Sequence, residues 1–239
     1  MQPIRRPPAL LRFVAGQSGS YFAYNMLVIA VGWQIYDLTH SAMSLGLVGL
    51  AQFLPQFLLT LVVGHVADRC DRRRVVALCL AVEGLTALAL AVGSFTHLLG
   101  ETGILACSLF LGAARAFESP TAQALLPNLV TAGELPRSLS MAAGGRQVGV
   151  ITGPALGGLI YMAGPQAVYG TCAVCFLAAC LLFAGIRPAC SLHRREPATL
   201  ASVFGGITYI RGNPVILGAI SLDLDRKSTR LNSSHIPLS

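Results

Sequence analysis

Charge is what this sequence has least of. Asp, Glu, Lys and Arg together make up 11% of its 239 residues, whereas soluble domains carry about 25%. That shortage excludes an ordinary water-facing surface. Lysine is almost absent: of the 17 basic residues only Lys227 is a lysine, the bias of a GC-rich genome. Segments of about ten residues with alternating polarity, the mark of a membrane β-barrel, are missing. So are H-E-x-x-H, a Walker lysine motif and a dinucleotide fingerprint, which leaves no common enzymatic signature and no cofactor to expect.

What is present is apolar length. Hydrophobic residues make up 54% of the chain, and the mean hydropathy is +0.66. The apolar runs reach the ~20 residues that a bilayer crossing needs, so the chain reads as an all-α, polytopic membrane protein in contact with lipid. Six spans are predicted: Phe13–Tyr36, Met43–Val66, Val75–Thr96, Gly103–Pro127, Ser138–Ala163 and Gln166–Ile186. The first run is too long for a signal-peptide core and has no small-residue cleavage site after it, so it is expected to stay as an uncleaved anchor.

The net charge of +7 is a topology signal and implies no nucleic-acid partner. Arg5, Arg6 and Arg12 precede span one, and Arg69, Arg72, Arg73 and Arg74 separate spans two and three. Arg137 lies between spans four and five, and Arg187, Arg194 and Arg195 follow span six. The alternate loops, Asp37–Ala42, His97–Thr102 and the turn at Gly164–Pro165, hold no Lys or Arg. The positive-inside rule then places the N-terminus and every arginine-bearing loop in the cytoplasm, across a bacterial inner membrane.

Seven cysteines form no disulfide framework. Cys79, Cys107, Cys172, Cys175 and Cys180 fall inside spans, where cysteine packs as a small apolar residue. Cys70 and Cys190 face the reducing cytoplasm. The Cys172-x-x-Cys175 spacing lacks the further ligands a zinc site requires, so no metal is expected.

The domain plan follows: residues 1–12 a cytoplasmic N-terminus, 13–186 the six-helix bundle, and 187–213 a cytoplasmic loop. Within that loop, Leu200, Val203, Phe204, Ile207 and Ile210 form the apolar stripe of an amphipathic helix. Residues 214–224, in "NPVILGAISLDL", open a seventh span too short to cross. Residues 225–239 follow, and "DRKSTRLNSSH" resembles the translation of a sequencing adapter. That tail is expected to be a cloning or assembly scar, the authentic chain stopping near Leu224.

Six charged residues crowd into seven positions between spans two and three: Asp68, Arg69, Asp71, Arg72, Arg73 and Arg74. The pattern Gly64-x-x-x-Asp68-Arg69-x-x-Arg72-Arg73 resembles the signature of the major facilitator superfamily, G-x-x-x-D-R-x-G-R-R. Asp71 stands where the family usually has glycine, and Asp tolerates a left-handed backbone less readily. A second match lies in span five, where Gly149-x-x-x-Gly153-Pro154-x-x-Gly157-Gly158 resembles the family's antiporter motif. Leu111-x-x-x-Arg115-x-x-Glu118 in span four resembles l-x-x-x-R-x-x-q-G, with Glu118 replacing the usual Gln and Ser119 the Gly.

The resemblance implies the N-terminal six-helix bundle of such a transporter, a three-plus-three inverted repeat, plus the start of a seventh helix. It implies alternating access, powered by a proton gradient, with a C-terminal six-helix half missing here. In the family the hinge cluster braces the two halves in the outward-open state, so Gly64, Asp68, Arg69, Arg72 and Arg73 are the expected cytoplasmic gate. "AFESPTAQALLPNLV" and "NPVILGAISLDL" narrow the resemblance to the enterobactin-exporter group, hence export of a siderophore-like or drug-like small molecule. Alternatives are an uptake symporter of the same fold and a half protein that works by dimerising.

Depth counting adds a candidate charge network. Arg115 is twelve residues from either end of span four, about 18 Å deep at 1.5 Å per residue, where a charge must face protein or a wet cavity. Glu118, Arg146 and Glu83 lie at similar depths. They form the expected network, with Glu118 or Glu83 carrying the coupled proton or else pinning helices together. Span one carries a polar stripe, Gln17, Tyr21, Asn25, Gly32 and Tyr36, near one helix face. The resemblance places spans one and four along the central cavity, making Tyr21 and Asn25 candidates for substrate contact. Gln52, Pro55 and Gln56 are weaker ones. The rival reading, a rhomboid-type protease using Ser18 in Gly16-Gln17-Ser18-Gly19, needs a histidine base within reach, whereas His40, His97 and His193 lie in loops or at span ends and His65 at a cytoplasmic span end.

Overall fold

The computed structural model describes the backbone of residues 8–69 and 71–186, and the side chains of 9–59 and 71–186. Each expected span overlaps one helix: α1 Pro8–Thr39, α2 Ala42–Arg69, α3 Arg72–Phe95, α4 Glu101–Leu125, α5 Leu135–Tyr161 and α6 Pro165–Ala184. A 3-10 turn, Leu126–Asn128, extends α4. Helices outrun the spans at several ends because backbone hydrogen bonding continues into the polar flanks. The expected amphipathic helix, seventh span and tail fall outside the described residues.

The breaks between helices have local causes. His40 and His97 sit at positive φ, 49° and 56°, just after α1 and α3. Gly164 takes φ 104° before Pro165 opens α6, the usual place for a proline whose missing N–H is not needed. Only Cys70 and Asp71 separate α2 from α3.

Packing is not sequential. The closely packed pairs are α3 with α6, α1 with α5, α2 with α4, α1 with α6 and α3 with α4. Exchanging α1 with α4, α2 with α5 and α3 with α6 maps this set onto itself. Three helices per half is an odd number, so the second half runs through the layer in the opposite sense. This is the inverted repeat of a major-facilitator-type bundle.

The core lies where α1, α3 and α6 meet: Phe13 and Phe183 contact edge to face at 5.6 Å, with Phe176, Leu80 and Leu90 fully buried. Outward-facing residues are apolar as well. In α3, Leu78, Leu85 and Val92 recur at seven-residue intervals and are exposed, which suits lipid and not water. Among the described residues, three helices are long and apolar enough in composition to cross a membrane: α3, α6 and the Ala42–Leu59 part of α2. The others are 32, 25 and 27 residues long but carry polar or charged residues, among them the buried Gln17, Arg115 and Glu118.

Candidate transport site

The centre of the site is a ring of three side chains on two helices. Arg115 Nη1 donates to Glu118 Oε2 at 2.6 Å, one turn along α4. The same nitrogen donates to Ser20 Oγ of α1 at 3.0 Å, and Ser20 in turn donates to Glu118 Oε1 at 3.1 Å. All three residues are buried. Sequence reasoning missed Ser20; its signal was a small polar residue one position before Tyr21 in the polar stripe.

Two tyrosines of α1 complete the arginine's surroundings. The guanidinium carbon lies 4.3 Å from the Tyr21 ring centroid and 4.4 Å from that of Tyr24, within the ~6 Å range of a cation–π contact. The Tyr21 hydroxyl meets Ser119 Oγ at 3.2 Å, and Tyr24 donates to Gln52 of α2 at 3.3 Å. Arg115 is thus charge-balanced, hydrogen-bonded and stacked, as a cation at this depth must be.

Arg146 and Glu83 are placed differently. Arg146 of α5 is exposed and lies 5.8 Å from the Tyr21 ring; among the described residues it has no ion-pair partner. Glu83 of α3 is fully buried, and neither carboxyl oxygen has a hydrogen-bond partner there. It lies within electrostatic reach of Glu118 and Arg115. Of the four expected network residues, only Arg115 and Glu118 are directly bonded.

The α1 stripe divides by exposure. Gln17 is buried, Tyr21, Asn25 and Gly32 are half-buried, and Tyr36 is exposed. The Asn25 amide donates to the Tyr21 carbonyl at 2.7 Å, which tethers it to its own helix. Ser18 Oγ donates to the Val14 carbonyl at 2.7 Å; an intrahelical bond of this kind does not activate a nucleophile.

The span-five glycines hold α5 against α1. A Cβ on Gly149 would stand 2.8 Å from Phe22 N, one on Gly153 2.8 Å from Phe22 O, and one on Gly157 2.7 Å from Met26 Cγ. Gly145, one step earlier at the same four-residue spacing, lies against Ser18. The period carried this signal, but the quoted motif began at Gly149. Gly158 faces open space, so it is not part of this contact, and Pro154 is half-buried within the helix. The symmetry-related contact, α4 on α2, uses Gly112 against the Gln52 backbone.

At the charged hinge, the surroundings of Gly64 and the side chains of Asp68 and Arg69 lie outside what is described. Asp71 is extended (φ −63°, ψ 106°) and caps α3 by accepting from Arg73 N at 3.1 Å. The departure from the family's glycine therefore meets no left-handed backbone; it supplies an N-cap. Arg72 donates to the Ala124 carbonyl near the end of α4 at 2.8 Å, and Arg73 to the Ile186 carbonyl beyond α6 at 2.5 Å. Arg12 reaches Gly185 O at 2.5 Å. Three arginines thus satisfy carbonyls at helix C-termini, where cations complement the dipole.

A second buried polar cluster was not foreseen. Gln34 of α1 donates to Ser94 Oγ of α3 at 2.9 Å, and Tyr169 of α6 donates to Gln34 Oε1 at 2.6 Å. Among the described residues no group of three His, Cys, Asp or Glu is placed to hold a metal ion. Cys172 and Cys180 contact backbone carbonyls of Ala23 and Ala77, as packing residues do.

The Major Facilitator Superfamily family model matches residues 13–224. Two curated relatives, each a Macrolide efflux protein A, come from Streptococcus pyogenes and from Streptococcus pyogenes serotype M6. Each is 24% identical over 147 residues, covering 62% of this chain and 36% of the relative. The chain thus aligns with about a third of the length of the curated relatives it matches.

Proposed function

The chain belongs to the major facilitator superfamily, and from that premise we propose that it is the half-unit of a proton-coupled exporter of small molecules. It is a multi-pass membrane transporter. Export is supported by the efflux relatives and by the Gly149–Gly158 motif. Alternation of arginine-rich and arginine-free loops supports a cytoplasmic N-terminus in a bacterial inner membrane. Within the superfamily the segments at 116–130 and 213–224 support the enterobactin-exporter group, and a siderophore-like or drug-like substrate. A second six-helix bundle would complete the path, and the gate residues Asp68, Arg69, Arg72 and Arg73 would meet it.

The observation that carries the coupling reading is the contrast between the two buried carboxyls. Glu118 accepts from Arg115 and Ser20, so its charge is already compensated. Glu83 has no donor among the described residues, so a proton, or a shift of Arg115, is what would balance a change in its charge. Glu83 is the proton carrier on this reading, and Glu118 holds Arg115 in place.

The test uses the chain completed by a second six-helix bundle, in everted membrane vesicles with an acid interior. Addition of a catecholate siderophore, or of another drug-like anion, should release protons and load the vesicle with substrate. Glu83→Gln should abolish proton release, while Glu118→Gln should retain it at a reduced rate. Coupling that survives in Glu83→Gln overturns the assignment of the carrier; substrate loading only in right-side-out vesicles overturns export in favour of uptake.

A further inference from the structure

Four charged residues lie in the middle of the helices, well away from the ends: Glu83, Arg115, Glu118 and Arg146. Three are buried and within electrostatic reach of one another. Arg146 stands apart. It is the twelfth of 27 residues in α5, about 16 Å from the helix start at 1.5 Å per residue. It is exposed, and among the described residues no carboxylate meets it.

A guanidinium at that depth is costly in lipid and is tolerated where it faces a wet cavity or a counter-charge. Its neighbours define which. The Tyr21 ring is 5.8 Å away, and Tyr21 is half-buried with its hydroxyl on Ser119. Ser119 also accepts from the exposed Gln123 at 3.4 Å. A cation, a tyrosine and two polar side chains from three helices therefore share one open face. Arg115 also lies over the Tyr21 ring, but its charge is met by Glu118.

We propose that Arg146, with Tyr21 beside it, is an anion-receiving site that selects small aromatic anions, carboxylates above all, as ligands. The proposal rests on the transport reading above and adds a substrate class to it. Guanidinium recognises a carboxylate through two parallel N–H donors, and the adjacent tyrosine ring offers an aromatic face to the ligand's own ring. Specificity follows from the unmet cation. A neutral ligand would leave it without a counter-charge, and a cationic ligand would be repelled.

The experiment measures binding by equilibrium dialysis to the full chain in zwitterionic nanodiscs, with empty discs subtracted. The probes are 2-naphthoate, 2-naphthamide and 2-naphthylmethylamine, which share a ring and differ in charge. The wild type should bind the naphthoate at least about tenfold tighter than the amide, the scale of a charge-assisted hydrogen bond, and the amine weakest. Arg146→Gln should bind naphthoate and amide alike, and Arg146→Lys should keep most of the preference. Equal binding of the three probes, no binding of naphthoate, or a preference that survives in Arg146→Gln overturns the proposal. If Arg146→Gln does not fold, the wild-type ranking of the three probes decides alone. No gradient is present, so a failed ranking overturns the anion site only. A failure of energised vesicles to transport would overturn the export reading and leave the ranking intact.

Discussion

Arg115 and Glu118 are paired at 2.6 Å within a single turn of α4, and the carboxylate has no exposed surface. The order is the less favourable one for a helix, with the cation N-terminal to the anion. What secures the pair is Ser20 from α1, which touches both partners. The ion pair is therefore a tertiary feature as much as a helical one.

Breaking that pair from one side should be expensive. Glu118→Ala leaves Arg115 buried without its counter-charge and should cost about 3–5 kcal/mol, read as a lower unfolding temperature in detergent. Glu118→Gln keeps an acceptor for Arg115 and should lose less. Ser20→Ala removes two hydrogen bonds but leaves the ion pair, and should cost about 1–2 kcal/mol.

The glycines of α5 predict opposite outcomes for neighbours in sequence. Gly153→Val would drive methyl groups into the Phe22 carbonyl, an overpacking worth about 1–3 kcal/mol or more. Gly158→Val meets open space and should leave the unfolding temperature within a degree or so of wild type, since surface changes stay within about 0.5 kcal/mol. If both variants unfold alike, α5 does not pack on α1 through this stripe.

Asp71 predicts a graded series at the hinge. Asp71→Ala removes the cap of α3 and should cost about 1 kcal/mol, while Asp71→Gly, the family's usual residue, should cost only a few tenths. Asp71→Asn keeps the acceptor and should match wild type in thermal unfolding. A larger loss in Asp71→Gly than in Asp71→Ala would contradict the cap geometry.

The Gln34 cluster distinguishes a lost donor from orphaned partners. Tyr169→Phe removes one bond and leaves Gln34 Oε1 with Ser94, a loss of about 1 kcal/mol. Gln34→Leu strands both the Tyr169 hydroxyl and Ser94 in a dry core and should cost more, about 2–3 kcal/mol. Thermal unfolding of the two variants side by side checks the order.

The helices were legible in the sequence because crossing a bilayer demands about 20 apolar residues in a row, and that demand is met locally. Their number, their approximate ends and the clustering of arginine all follow from residue type alone. So did the depth of Arg115 and Glu118, since a helix advances by a constant rise. Partners were not legible in the same way. Equal depth put Glu83, Arg115, Glu118 and Arg146 in one layer but said nothing about direction around each helix axis.

Only the packing of α1 against α5, α4 against α2, and α3 against α6 decided those directions. It turned Arg115 inward onto Ser20 and left Arg146 on an open face. It enclosed Glu83 without a donor among the described residues, and sent Gly153 against a carbonyl while Gly158 met nothing there. Apolar length is a property of consecutive residues, and any reader of the chain can measure it. Which side of a helix is covered depends on residues a hundred positions away, and that information exists only once the chain has folded back on itself.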